Sequence, residues 1–182
     1  MRRPVGPPRV FVGPGFRGQE WCDRVRAAMD QGHLSPAEIY EEGFRIDEEA
    51  RRAFDVEIAL DVLDEVRRSI EEIRPEVAQY FGVVLSGDEG PGFLRYSAGG
   101  FYRRHCDVGP GWAEEWPRRI SLVVFLSTAG EQCEGGALRL YHARPLDIAP
   151  CAGTLVAFPS DTPHEVLPVM SGVRDAVVDW FF

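Results

Sequence analysis

The sequence predicts a single α+β domain in which a largely helical first half buttresses a β-rich second half folded as a sandwich or jelly roll. Three observations carry this. Apolar residues recur every three or four positions between residues 57 and 81 (Ile58, Val62, Val66, Ile70, Ile73, Val77, Phe81), the period of one helical face. Beyond Gly90 that period disappears, and short runs rich in β-branched and aromatic residues alternate with Gly, Pro and polar turns. Such closely spaced runs favour antiparallel layers, since a parallel sheet would need helices between its strands. A chain of 182 residues suits one domain with a filled core and would be cramped as two. Residues 1–89 then read as mainly helical support, and residues 90–182 as the β core.

In chain order, Arg9 to Val12 reads as a short strand closed by the turn at Gly13 to Gly15. Residues 18–30 place Trp21, Cys22, Val25 and Met29 on one helical face, and Gly32 ends the helix. Residues 37–54 mix Tyr40, Phe44, Ile46 and Phe54 with Glu and Arg and show no clean period. In the long helix of residues 57–81, Pro75 predicts a kink or the start of a second helix, because proline lacks the amide donor. The expected strands are 92–98, 100–105, 118–127, 137–143, 153–159, 165–170 and 173–182. Helices packed outside one sheet would bury the apolar face of residues 57–81.

The formal charge of −9 argues against generic nucleic-acid or anionic-membrane binding, which needs a basic surface. No apolar stretch is long enough to cross a bilayer, and no apolar run follows the basic N-terminal residues as in a secretory leader. Cys22, Cys106, Cys133 and Cys151 lie far apart without Cys-x-x-Cys spacing. The expectation is a cytoplasmic protein with reduced thiols.

The chemistry concentrates in Phe101-Tyr-Arg-Arg-His105-Cys-Asp107. In an extended chain His105 and Asp107 project from one face, roughly 6–7 Å apart at their backbones, close enough to share a metal ion. Cys106 between them is expected on the opposite face as a small core residue. A His-x-Asp pair alone is weak evidence in a chain with 29 acidic residues. His164, in Asp161-Thr-Pro-His164-Glu-Val, supplies a third ligand, and Arg174 follows ten residues later. Two imidazoles and one carboxylate occupy one face of an octahedral ion and leave open positions, an arrangement suited to non-haem iron(II). A guanidinium on a neighbouring strand can hold, bidentately, the far carboxylate of an acid whose other end chelates the metal. His33 and His142 have no carboxylate at ligand spacing and read as ordinary residues.

The order Tyr96, His105-x-Asp107, Glu134-Gly135-Gly136, Pro159, His164-Glu-Val, Gly172-Val-Arg174, Trp180-Phe resembles the iron(II)- and 2-oxoglutarate-dependent dioxygenases, in their prolyl 4-hydroxylase-like branch. The motifs cover about residues 90–182. The resemblance implies a double-stranded β-helix, a cupin-like jelly roll with the metal between its sheets and the N-terminal helices packed on one of them. It implies Fe(II) on His105, Asp107 and His164, and the C5 carboxylate of 2-oxoglutarate on Arg174. Tyr96, Ser121 and Trp180 are expected in the same pocket as cofactor-binding residues. It implies O2 as cosubstrate and hydroxylation of an unactivated C–H, first of a prolyl residue in a peptide or protein, with a free amino acid or small natural product as rival. Oxygen-sensing prolyl hydroxylases carry a tyrosine near the start of Phe125-Leu126-Ser127 that donates to the cosubstrate. Phe125 here would forgo roughly 1.5–3 kcal/mol unless something replaces that bond.

Three other readings stay open at this level. A cupin-like metalloenzyme without 2-oxoglutarate has no need of Arg174. A nucleic-acid demethylase of the same superfamily would carry a second arginine where this chain has Trp180. A binding module with a relict site would not need to keep all four residues. The aromatic and acidic stretches at residues 38–54 and 108–117 read as irregular segments with a functional role; the second, with Trp112, Glu114, Glu115 and Trp116, leaves directly from Asp107 and is expected at the mouth of the site, and the acids on both would favour a basic or neutral substrate.

Overall fold

The computed structural model describes residues 9–40, 43–108 and 118–182. Strand β1 (Phe11–Gly13) leads to helix α1 (Gln19–Gln31). Five short strands follow: β2 (His33–Pro36), β3 (Ile39–Tyr40), β4 (Phe44–Arg45), β5 (Arg51–Arg52) and β6 (Phe54–Glu57). Helix α2 (Leu60–Phe81) precedes the β half: β7 (Gly92–Ser97), β8 (Phe101–His105), β9 (Ile120–Phe125), β10 (Cys133–Gly135), β11 (Leu138–Leu140), β12 (Leu146–Ile148), β13 (Leu155–Pro159), β14 (His164–Val166) and β15 (Val169–Phe181).

The larger sheet runs β1-β13-β9-β15-β7-β6-β2, with β10 also paired to β15; the smaller runs β12-β11-β14-β8-β5. Strands β3 and β4 form a separate hairpin. This is the expected jelly roll with helices on one sheet. Trp21, Cys22, Val25 and Met29 of α1 and Val66, Ile70, Val77 and Phe81 of α2 pack on Leu122, Val124, Leu155, Ala157, Val177 and Phe181 of the larger sheet. The alternate residues Val123, Phe125, Val156, Phe158 and Ala176 face Leu138 and Leu140 of the smaller sheet. Covered on both sides, β9 is buried along its whole length, which explains its nearly unbroken apolar run.

The structure corrects the sequence reading in several places. The first half is not helical alone: α1 and α2 supply the expected support, but β2 and β6 extend the larger sheet and β5 the smaller one. Strands of two to four residues are too short to display a two-residue period, so their identity comes from the sheets that receive them. Pro75 lies inside α2, which neither ends nor restarts there. Pro75 is exposed, so water can satisfy the carbonyl left without a helical donor. The two strands expected at the C-terminus instead form β14 and a single 13-residue β15, which passes through Gly172 at φ +74°. A Cβ there would come within 2.2 Å of the Gln132 carbonyl oxygen, so this close crossing of β15 with the chain before β10 requires glycine. No described helix is long and apolar enough to cross a membrane.

Candidate metal centre

His105 ends β8 and His164 begins β14, and the two are direct cross-strand partners. The next pair in that ladder is Tyr102 with Val166, so β8 uses three steps where β14 uses two. The extra residue is a β-bulge, a device that re-aims a side chain beside a site. It turns Tyr102, which simple alternation would place opposite His105, onto the same side. The Tyr102 ring stacks on the His105 imidazole with centroids 3.5 Å apart and planes 20° from parallel. Asp107 lies just past the strand, its amide donating to the Ser160 carbonyl.

The three side chains converge. Asp107 Oδ1 lies 3.5 Å from His105 Nε2, and Oδ2 lies 3.6 Å from His164 Nε2. All three ligand atoms fall within 4.8 Å of one another, the one such cluster among the described residues. His105 Nδ1 sits 2.8 Å from the Arg103 carbonyl and His164 Nδ1 2.9 Å from the Thr162 carbonyl. A carbonyl can only accept, so each Nδ1 carries the proton and each Nε2 presents its lone pair to the cluster. The Ser121 hydroxyl donates to Asp107 Oδ2 at 2.6 Å and lies 3.0 Å from Ser160 Oγ. The edge of Phe158 packs against the buried His164 ring. Burial pushes the Asp107 carboxyl up, but His164, His105 and the Ser121 hydroxyl together outweigh it and hold the group well below the usual carboxylate range. Burial pushes His164 down, with Asp107 opposing. Both effects keep the ligands in the forms a cation needs: an ionised carboxylate and neutral imidazole. Two nitrogens and one oxygen with fixed tautomers on rigid strands fit iron(II).

A cavity of about 360 Å³ opens onto this cluster, lined among others by Leu94, Tyr96, Tyr102, Val166, Arg174 and Trp180. Arg174 is fully buried and is the cross-strand partner of Tyr96. Its Nε donates to the Gly136 carbonyl at 2.8 Å, and its guanidinium carbon lies 5.0 Å from the Tyr96 ring and 5.3 Å from Phe125. No carboxylate among the described residues lies within ion-pair distance of it; Asp175 faces the other side of β15 and pairs with Arg95 and Arg26. Burial lowers the affinity of Arg174 for its proton, with Tyr96 opposing, yet a guanidinium stays charged in proteins. Gly136 makes room for it, since a Cβ at that residue would lie 2.7 Å from Arg174 Cδ. Phe125 therefore meets the guanidinium with its ring and offers no hydroxyl to a cosubstrate.

The remaining expected site residues are placed less uniformly. Tyr96 lines the cavity beside Arg174. Trp180 also lines it, but six residues along an extended strand put it roughly 20 Å from Arg174, so the two cannot hold the same end of one small acid. The Arg118 guanidinium lies 3.7 Å over the Trp180 ring, is forked onto both oxygens of Glu89, and reaches the Asp107 carbonyl at 3.4 Å. Ser121, the cross-strand partner of Trp180, spends its hydroxyl on Asp107 and Ser160 rather than facing a cosubstrate. Cys106 is exposed, with its thiol near the Asp161 carbonyl, and is not the core residue expected, because the strand has ended before it. Ile39, Tyr40 and Phe44 of the β3–β4 hairpin, within residues 38–54, line the cavity. Trp112, Glu114, Glu115 and Trp116 lie outside the described residues. Sequence reasoning missed Tyr102, Ser160 and Arg118. The bulge that turns Tyr102 inward has no local signature, and the other two act through partners distant in sequence.

The family model described as 2OG-Fe(II) oxygenase superfamily matches residues 91–182. Curated relatives include a PKHD-type hydroxylase of Stenotrophomonas maltophilia, 36% identical over 96 residues, and one of Parvibaculum lavamentivorans, 36% identical over 97. The matched part covers 50% of this chain in both cases, and only 41% and 42% of those relatives. A prolyl-4-hydroxylase from Pseudomonas putida superposes with a TM-score of 0.76 at 26% identity, over 96% of this chain and 92% of the other. A Trichoplax adhaerens prolyl hydroxylase, solved with a hypoxia inducible factor peptide fragment, shares the fold with a TM-score of 0.79 at 20% identity, over 96% of this chain and 84% of that one.

Proposed function

The chain belongs to the 2OG-Fe(II) oxygenase superfamily, and from that premise we propose that it is an iron(II)- and 2-oxoglutarate-dependent hydroxylase acting on a prolyl residue of a peptide or protein. The observation that carries the reading is the pairing of the His105, Asp107 and His164 cluster with a buried Arg174 that has no carboxylate partner among the described residues, in one cavity. A buried cation without a counterion is costly, and a carboxylate entering from the cavity relieves it. That requirement separates this reading from a cupin-like enzyme without the acid.

His105 Nε2, His164 Nε2 and an Asp107 oxygen would hold iron(II), and Arg174 would take the distal carboxylate of 2-oxoglutarate as a forked cation. Iron(II) with 2-oxoglutarate and O2 supplies the oxidising power to insert one oxygen atom into a C–H bond, with succinate and carbon dioxide as coproducts. The chain contributes position and exclusion of water. Ser121 fixes the Asp107 carboxylate and the two carbonyl contacts fix the imidazoles. Leu94, Val166 and Tyr102 give the cavity apolar walls. The prolyl assignment is supported by the Pseudomonas putida prolyl-4-hydroxylase, which matches over nearly the whole chain.

The test is incubation with iron(II), 2-oxoglutarate and proline-containing peptides, reading succinate release and a gain of one oxygen by mass spectrometry. Both products are expected from the wild type and from neither His105→Ala nor His164→Ala. Oxidation of free amino acids alone would overturn the peptide assignment. Succinate formed equally well by His105→Ala would overturn the metal assignment.

A further inference from the structure

Strand pairing gathers arginines at the β5–β8 edge of the smaller sheet. Arg52 on β5 is the cross-strand partner of Phe101, and Arg103 and Arg104 follow on β8 directly before His105. All three are exposed. Their guanidinium carbons lie 5.6 Å (Arg52) and 6.0 Å (Arg103) from the Phe101 ring and 4.3 Å (Arg104) over Tyr141, whose hydroxyl donates to Glu165. Both rings are one residue removed from an inward-facing side chain, Tyr102 or Leu140, and so lie on the outer side of the sheet. A ring engages the face of a guanidinium and leaves free the N–H groups in its plane. No acid among the described residues lies within ion-pair distance of these three arginines, including Glu38, Asp55 and Asp107, the acids that line the cavity. Towards the far edge the same face is compensated, since Arg139 of β11 is forked onto Asp147 of β12 and lies 3.6 Å from Glu165. In a chain of net charge −9, uncompensated positive charge therefore adjoins the metal cavity, which Arg103 and Arg104 also line.

We propose that Arg52, Arg103 and Arg104 form a docking surface for an acidic stretch of the polypeptide substrate, held there while the target residue occupies the cavity. Opposite charge attracts such a segment and rejects a basic one, so the surface selects among peptides that fit the metal centre equally well. Planar guanidiniums fork onto carboxylates, and three of them on adjacent strands can take more than one acid at once. An extended chain leaving the cavity covers about 10 Å in three residues, roughly the spacing of packed sheets, so acids about three to five residues from the target reach the outer face. The preference runs opposite to the one suggested by the acids of residues 38–54 and 108–117, because arginines distant in sequence meet only when β5 pairs with β8. The inference rests on the hydroxylase reading and adds a substrate class to it.

The probes are capped, alanine-rich peptides around one prolyl residue, carrying glutamate, glutamine or lysine about three to five residues away on both sides. Each is turned over by the protein loaded with iron(II) and 2-oxoglutarate, reading succinate, and is bound in labelled form, reading fluorescence anisotropy. Wild type is expected to half-saturate with the glutamate peptide at about a fivefold lower concentration than with the glutamine peptide, and with the lysine peptide at a higher one. That advantage should shrink to about twofold or less in about 0.5 M NaCl. The double variant Arg52→Gln with Arg104→Gln should lose it, whereas Arg68→Gln with Arg74→Gln, the same change of charge on α2 over the larger sheet, should keep it. Equal half-saturation by the glutamate and glutamine peptides in wild type overturns the proposal, as does an advantage that the α2 variant loses as fully, which is an effect of net charge. A short single-stranded oligonucleotide bound more tightly than the glutamate peptide, and released by the β5–β8 variant, assigns the surface to nucleic acid and overturns the proposal too. Succinate formed without a glutamate preference leaves the hydroxylase reading intact. A glutamate preference in anisotropy without succinate from any peptide overturns that reading and leaves the docking surface standing.

Discussion

Asp179→Asn should stabilise the protein at neutral pH and lose that advantage in acid. Asp179 is buried on the helix side of β15. Its Oδ1 accepts from the Trp180 amide at 2.7 Å, while Oδ2 receives no well-formed hydrogen bond, with only the Gly90 amide near enough to help. Burial pushes its carboxyl from 3.8 to about 7, with Asp88 and Glu89 adding repulsion. The folded pKa is thus raised above the unfolded one, so the contribution to stability is fully present below about pH 4 and is lost as pH rises through 7. Each unit of difference corresponds to about 1.4 kcal/mol, so the total loss is roughly 4 kcal/mol at most. About two units of that window lie between pH 5 and pH 7, worth about 2.7 kcal/mol. Asparagine mimics the protonated carboxyl and removes the titration. Urea unfolding of both proteins at pH 5, 6, 7 and 8 measures the difference directly. It should grow in favour of Asp179→Asn up to pH 7 and then level off. A difference independent of pH, or one that turns against the variant as pH rises, would refute the reasoning.

Three further outcomes follow from the site. Gly136→Ala puts a methyl 2.7 Å from Arg174 Cδ at a backbone φ of +68°, so it should cost about 1 kcal/mol or more in melting experiments and raise the 2-oxoglutarate requirement by at least about tenfold. Ser121→Ala removes the hydroxyl that orients Asp107 Oδ2, and iron(II) affinity measured by titration should fall about tenfold to a hundredfold while circular dichroism is unchanged. Arg174→Ala should raise the 2-oxoglutarate requirement by orders of magnitude and Arg174→Lys by less, because ammonium keeps the charge and loses the fork; equal kinetics in all three proteins would place the acid elsewhere.

What the sequence determined by itself was whatever rests on spacing along one element. The 3.6-residue period between residues 57 and 81 identified α2 and its buried face, and the change of period after Gly90 identified the β half. His105 and Asp107 were legible as a pair because they are two residues apart, and His164 and Arg174 because the order of all four is itself a pattern. Tertiary structure decided what depends on which strands become neighbours. The register of β14 against β8 sets His164 opposite His105, and the bulge in that ladder brings Tyr102 over the imidazole. The pairing of β9 with β15 and β13 puts Ser121 behind Asp107 and Trp180 far from Arg174, although all were expected around one cosubstrate. Residues 33–57 carry no period because strands this short are specified by the edges that accept them. For the same reason Arg51 reads in the sequence as one charge among many, and comes to lie over the Tyr102 ring only when β5 pairs with β8. Local periodicity is a property of one segment, whereas register and burial belong to contacts between segments, and no single segment encodes them.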